Sequence, residues 1–179
     1  MYYCNDECQD KDWYYHWLEC AIYNKHYSDL HDAGIRLLLR LYLTLERYPL
    51  KRLNYYQIPN RDPPQYRCYE MLTPTKEGQN EYVMVMTTLA QFETFLNRFR
   101  AAKLNLDRQK LFGHFIKMLT NCFNIEDNTE NIALGIYVLE SFFQHSCVPN
   151  ACSTYNGTNI EIRALKDIFP GEKITLSHV

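Results

Sequence analysis

Glycine is scarce in this sequence. Six glycines in 179 residues is about half the ~7% share of an ordinary globular protein. Neither G-x-G-x-x-G nor G-x-x-x-x-G-K-[ST] occurs, so the loops that cradle dinucleotides and nucleotide phosphates are not expected here. Charge of one sign is lacking as well. Nineteen basic against 21 acidic residues leave a formal charge of −2, which argues against a long basic face and against direct nucleic-acid binding. No stretch approaches the ~18 uninterrupted apolar residues of a membrane span, so no membrane partner is expected. The opening residues, Met1-Tyr-Tyr-Cys-Asn-Asp-Glu-Cys8, show neither the basic start nor the apolar core of a secretory signal. The expectation is a chain kept in the cytoplasm or nucleus, with its thiols reduced.

What is abundant is aromatic and apolar. There are 15 tyrosines, 46% hydrophobic and 22% charged residues, enough for a packed core and against wholesale disorder. Apolar residues recur at near-helical spacing in three places. Ile35, Leu38, Leu39, Tyr42, Leu43 and Leu45 predict a buried helix over about 30–47. Met84, Leu89, Phe92, Phe95, Leu96 and Phe99 predict one over 82–100. Leu111, Phe115, Met118, Leu119 and Cys122 predict one over 108–124, capped by Asp107. Five of the seven prolines fall within 48–78, which reads as an extended loop. From 151 the period changes. Cys152 to Asn156 reads as a strand entering an Asn156-Gly157 hairpin turn. Asn159 to Leu165 alternates as its partner, Phe169-Pro-Gly-Glu172 is a turn, and Lys173 to His178 is a further short strand. Helices followed by short strands predict an α+β fold.

The seven cysteines are uneven: Cys4, Cys8 and Cys20 crowd the start, and Cys147 and Cys152 the end. In a reduced compartment crowded cysteines suggest metal before disulfide. Cys4-x3-Cys8-x7-His16-x3-Cys20 places each pair at i, i+4, on one face of a helical turn. Thiolate and imidazole are the ligands zinc prefers, four to a structural site. The alternative is three buried thiols and a surface histidine. Tyr3-Cys4-Asn-Asp-Glu-Cys8-Gln9, Trp13, His16 and Glu19-Cys20 resemble the second half of a MYND zinc finger. That resemblance implies two zincs, with each pair completed by a Cys-x2-Cys lying upstream in the family. In these residues alone, Cys4, Cys8, His16 and Cys20 would have to close one site together.

A second resemblance lies near the end. Phe143-Gln144-His145-Ser146-Cys147-Val148-Pro149-Asn150 is similar to the N-H-S-C-x-P-N signature of SET-domain lysine methyltransferases. Ile162-Arg163-Ala164, Asp167-Ile168 and Pro170-Gly171-Glu172-Lys173-Ile174-Thr175 resemble the family's R-A-x-x-D-I-x-x-G-E-E-[IL]-T strand pair. Asn121-Cys122-Phe123 and Gly135-Ile136-Tyr137 match it too. MYND followed by SET is identified as the SMYD group, with 108–179 closest to its third vertebrate type. The resemblance implies residues 1–20 as the C-terminal half of the finger, 21–107 as a helical insert and 108–179 as the C-terminal part of the SET domain. It implies zinc and S-adenosylmethionine as cofactors, with Asn121, Gln144 and His145 contacting the latter. His145 taken alone is equally an ordinary partly buried histidine. Histones or other lysine-bearing proteins are the implied substrates, proline-rich peptides the implied partners of the finger, and nucleus and cytoplasm the implied locations.

The departures are specific. Gln144 replaces the signature's Asn. His178 stands where the family has its active-site Tyr. The family's G-x-G loop and its cysteine-bearing post-SET segment are not within these residues. The expectation is a fragment or degenerate copy with impaired methyl transfer, with two alternatives: a non-catalytic interaction module, or an incomplete gene model of an active enzyme.

Overall fold

The computed structural model describes residues 3–23, 33–47, 56–58, 65–67, 69–72, 81–127 and 130–177. The described residues form four α-helices, α1 (Asp6–Tyr23), α2 (Ala33–Arg47), α3 (Glu81–Ala101) and α4 (Arg108–Asn121), with the first strand pair between α2 and α3. The strands are β1 (Tyr56–Ile58), β2 (Gln65–Arg67), β3 (Cys122–Asp127), β4 (Glu130–Ile136), β5 (Gln144–His145), β6 (Ala151–Asn156), β7 (Asn159–Ala164) and β8 (Thr175–Leu176). The chain divides into two compact units, one of Met1–Leu50 with Pro74–Thr120 and one of Lys51–Thr73 with Asn121–Val179.

The first unit is helical because α2, α3 and α4 each have an apolar stripe to bury, whereas α1 buries only Glu19 and Ile22. On α2 the buried residues are Ile35, Leu38, Leu39, Tyr42 and Leu43, as the period predicts. Phe92, Leu96 and Phe99 of α3 and Leu111, Phe115 and Met118 of α4 are buried with them. Phe92 meets Phe112 and Phe115 with ring centroids 4.9 and 5.5 Å apart, and Phe95 meets Phe115 at 5.4 Å. Leu89 and Leu119, assigned to the same stripes, are instead 39% and 41% exposed. The starts of α1 and α4 are capped. Asn5 Oδ1 accepts the Cys8 N–H at 2.9 Å, and Asp107 Oδ1 accepts those of Gln109 and Lys110 at 2.9 and 3.0 Å. The Asp107 cap is the one the sequence predicts. At the end of α3, Lys103 takes a left-handed conformation (φ 60°), and Leu104 N–H returns to Phe99 O at 3.0 Å.

The second unit is a set of two-stranded pairs. β1–β2, β3–β4 and β6–β7 are antiparallel, and β5–β8 is parallel. The β6–β7 hairpin is as predicted, but its two turn residues are Gly157 and Thr158: Asn156 closes the ladder opposite Asn159, and Gly157 takes the positive φ of +61°. So is the turn at 169–172, where Glu172 N–H bonds to Phe169 O at 3.0 Å.

Three expectations need correction. The third helix ends at Asn121, not 124, because Cys122 onward pairs with β4. Residues 48–78 are not simply a loop: they hold the β1–β2 pair and a 3-10 turn at Tyr69–Met71. The last strand is only Thr175–Leu176, and the end of the predicted 173–178 strand, with His178, lies outside the described residues. For helix 30–47, residues 30–32 also lie outside them. No helix among the described residues is long and apolar enough to cross a membrane.

Candidate functional site

In the second unit, the chemistry-bearing stretch is Gln144 to Asn150. β5 pairs in parallel with β8, Gln144 opposite Thr175 and His145 opposite Leu176, and Ser146 N–H donates to Leu176 O at 2.9 Å. Two residues per strand is too short to hold by itself. Asn150, only 4% exposed, supplies the rest. Its Nδ2 donates to Lys173 O at 2.8 Å and to Glu172 Oε1 at 3.1 Å. Its Oδ1 accepts from Thr175 N–H at 2.8 Å. Its backbone carbonyl accepts from Leu165 N–H at 2.9 Å. Asn150 therefore ties Glu172, Lys173 and Thr175 through its side-chain amide, and Leu165 through its backbone carbonyl, to the end of the signature run. The Glu172 carboxylate also accepts the Phe169 N–H at 3.1 Å. This backbone bond, with that from Asn150, holds its pKa below the ordinary glutamate value.

Gln144 and His145 are both exposed. Neighbours on a strand face opposite ways, so the two meet different parts of anything bound. Gln144 Oε1 accepts from Lys173 Nζ at 3.1 Å, and Lys173 stands at the second Glu of the family's G-E-E run. His145 Nε2 lies 3.4 Å from Cys147 Sγ. Asn121 closes α4 and is buried. Its carbonyl accepts from Ser141 Oγ at 3.3 Å, and that hydroxyl also reaches Tyr137 O at 2.8 Å. Asn121 is thereby tied to the segment leading into β5. A cavity of about 350 Å³ lies along Ile136–Glu140, Asn159 and Ile160 and includes none of these three residues. Gln144 and His145 are accessible and Asn121 is buried; amide and imidazole are the donor and acceptor types that the zwitterionic and heterocyclic ends of a nucleoside–amino-acid cofactor require. The signal for Asn150's role was present in the signature, but only the folded chain shows its partners.

In the first unit, the candidate metal ligands form two pairs. Cys4 Sγ lies 2.8 Å from Cys8 Sγ, and Cys20 Sγ lies 3.4 Å from His16 Nε2. His16 and Cys20 share a helix face as the spacing predicts, while Cys4 precedes α1 and only Cys8 of its pair is on the helix. The single four-ligand site does not hold. Cys8 and His16 are eight residues apart on α1, roughly 12 Å along the axis at 1.5 Å per residue. Ligands of one zinc lie about 2.0–2.3 Å from it, so no ion spans that gap. Among the described residues no three His, Cys, Asp or Glu gather as a metal site. Each pair has the donor chemistry of half a tetrahedral zinc site. The Cys4 thiol, hydrogen-bonded to Cys8, pushes the Cys8 thiol pKa up, so a proton is held where a metal would displace it.

A charged cluster beside His16 escaped the sequence reading. Glu19, 1% exposed, accepts from Arg40 through both oxygens, with Nη2 to Oε2 at 2.9 Å, and from Arg36 at 3.4 Å. Arg40 also bonds Asp12, Nη1 to Oδ1 at 2.6 Å, and Asp12 Oδ2 accepts the Tyr3 hydroxyl at 2.8 Å. Burial pushes the Asp12 pKa up, but the Arg40 and Tyr3 hydrogen bonds outweigh it and the net shift is down. Two arginines four apart within α2's leucine run were the signal.

The SET-domain family model matches residues 4–179. The chain belongs to the SET-domain family. Its relatives place it in the SMYD group. It is 32% identical over 186 residues to the N-lysine methyltransferase SMYD2-B of Danio rerio. It is 26% identical over 185 residues to the Homo sapiens N-lysine methyltransferase SMYD2, and 27% over 180 residues to the Homo sapiens histone-lysine N-methyltransferase SMYD3. Each alignment covers 99% of this chain and 39 or 40% of the relative. The chain thus spans about two fifths of the length of these relatives. Its mixture of helices and strand pairs fits an α+β SET fold, and the clamp at Asn150 sits in the family's signature run.

Proposed function

We propose that this chain carries the central part of an S-adenosylmethionine-dependent protein-lysine methyltransferase site, and that these 179 residues alone do not turn over. The observation that carries the reading is the β5–β8 pair, locked by Asn150, presenting Gln144 and His145 on an accessible strand. In this reading Gln144, His145 and Asn121 hold the cofactor, which supplies a methyl group on a sulfonium for in-line transfer to a neutral lysine amine. The substrate is a histone or another lysine-bearing protein, and the protein works in nucleus and cytoplasm. Residues 1–20 are the second half of a MYND finger, whose Cys4, Cys8, His16 and Cys20 contribute two ligands to each of two zincs. Residues 21–107 are a helical insert, and 108–179 belong to the SET domain.

Impairment rests on residues within the chain. Gln144 is one methylene longer than the signature's Asn, which in a packed pocket costs about 1–3 kcal/mol, and Lys173 already engages its carbonyl oxygen. His178 stands in place of a phenol, and imidazole differs in shape and hydrogen bonding. Radiolabelled methyl transfer to histones and a lysine-rich protein panel is expected to show nothing above a His145→Ala control. Turnover above that control contradicts the impairment.

A second reading, a non-catalytic interaction module, has an observation of its own. Trp13 and Trp17 are each 52% exposed on α1, next to Tyr14 at 38%. Exposed aromatic rings suit proline-rich peptides. Quenching of tryptophan fluorescence by such a peptide, lost in Trp13→Ala and Trp17→Ala, supports this; no change at millimolar peptide excludes it.

A further inference from the structure

The geometry points to Glu19 as a positioning residue for a metal at His16: its carboxylate takes the Nδ1–H of the imidazole and leaves Nε2, on the Cys20 side, as the ligand atom. This rests on the zinc-finger reading of Cys4, Cys8, His16 and Cys20. His16 Nδ1 is a buried nitrogen without a hydrogen-bond partner among the described residues, and Glu19 Oε2 lies 3.7 Å from it. Nε2 faces the Cys20 thiol at 3.4 Å. The ring therefore has one nitrogen beside a second metal-ligand type and the other beside a buried carboxylate. Metal-bound histidines commonly have that arrangement, since the second-shell acceptor fixes tautomer and ring plane. A ring shift of about 0.8 Å brings the Nδ1–carboxylate contact to ordinary hydrogen-bond length.

The carboxylate is held still for this. Arg40 grips both its oxygens, and Arg36 reaches Oε2. The same Arg40 holds Asp12, which accepts from Tyr3. The Tyr3 and Trp13 rings lie 6.3 and 6.0 Å from the His16 ring, and Tyr3 is linked through Asp12 to the same guanidinium. Arg40 belongs to α2, and metal loading on α1 is thereby coupled to the packing of α1 on α2. Neutral imidazole must carry its single proton on one nitrogen. The cluster selects Nδ1 before any metal arrives, which lowers the reorganisation needed to bind one.

The test uses the full 179-residue chain, labelled with ¹⁵N-histidine and stripped of metal, in two arms. Long-range ¹H–¹⁵N correlation reads the tautomer of His16. The expected result is protonated Nδ1 and bare Nε2 in the wild type, with the preference reduced in Glu19→Gln, which keeps the shape but offers an amide. Cobalt(II) titration, followed by the thiolate charge-transfer band, is expected to show affinity about 10–100-fold weaker in Glu19→Gln than in wild type, and Arg40→Lys falling between. A purely structural role for Glu19 lowers the unfolding midpoint but moves neither the tautomer nor the cobalt affinity. Protonated Nε2 in the wild type overturns the inference without any variant, as does Glu19→Gln leaving both readings unchanged. A wild type with protonated Nδ1 but no cobalt–thiolate band overturns the zinc reading itself and the metal role of Glu19 with it.

Discussion

Asn150 does the most for the site of any single residue, because a four-residue parallel ladder depends on it. Its side chain makes three bonds at 2.8–3.1 Å to Glu172, Lys173 and Thr175, and each buried bond is worth about 1 kcal/mol net, more when its partner is left unpaired. Asn150→Ala is expected to cost about 2–4 kcal/mol in the second unit and to speed hydrogen exchange at the Ser146 and Thr175 amides. Unchanged protection there would mean that β5–β8 holds without the clamp. A second residue adds to the pH dependence of the first unit near neutrality. Burial pushes the His114 pKa below its ordinary 6.5, with Lys117 acting in the same direction, and its ring meets Tyr42 edge-on at 6.2 Å. A histidine with a depressed folded pKa contributes its full stability above 6.5, and that contribution is lost as pH falls below it. The urea midpoint of the helical unit is expected to drop between about pH 7.5 and 5.5, and His114→Phe should shrink the drop. An equal drop in the variant would place the titration elsewhere. At this scale the sequence was partly legible. Gln144, His145 and Asn150 stand in a recognisable run, whereas Glu19's burial depends on Arg36 and Arg40, 17 and 21 residues away, which no local pattern reports.

Three of the four helices of the described residues were legible, since an apolar stripe at period 3.6 survives without knowledge of its partners; α1 was not, because it buries only Glu19 and Ile22 and offers no such stripe. The boundary between α4 and β3 was not legible, and the reason is physical. Cys122 fits the end of the Leu111–Phe115–Met118 stripe, but it also fits opposite Ile136 in a ladder. The ladder wins because Phe123 packs on Tyr137, with centroids 5.9 Å apart. Its partner strand begins several residues later in the chain, outside any helical window. Gly135 is one reason this hairpin tolerates so many rings. A Cβ there would meet Tyr137 Cε2 at 3.0 Å and Ile125 Cδ1 at 3.2 Å. Tyr137 in turn donates to Thr158 O at 2.8 Å and faces Tyr155 at 6.2 Å, so it has little room to yield. Gly135→Ala is expected to destabilise the second unit by about 1–3 kcal/mol, seen as a lower urea midpoint with the helical unit unaffected. A neutral result would show that Tyr137 can move aside.

For the molecule as a whole, family membership was the most legible property, because two dense motifs occur in the family's order. The metal arrangement was less so. Spacing alone allowed one four-ligand site, and the length of α1 forbids it. With two donors per pair, these 179 residues are expected to hold zinc weakly or below one equivalent when purified without a tag. Metal analysis finding two tightly held zincs contradicts the half-site account. The central claim is that Gln144, His145 and Asn121 form a weakened S-adenosylmethionine site. It is tested most directly by titrating the cofactor into ¹⁵N-labelled chain and following backbone amides. The account predicts shifts concentrated at Asn121, Gln144 and His145, saturating only in the millimolar range and absent in His145→Ala. Shifts elsewhere, or none at all at millimolar cofactor, contradict the site, and saturation at micromolar cofactor contradicts its weakening.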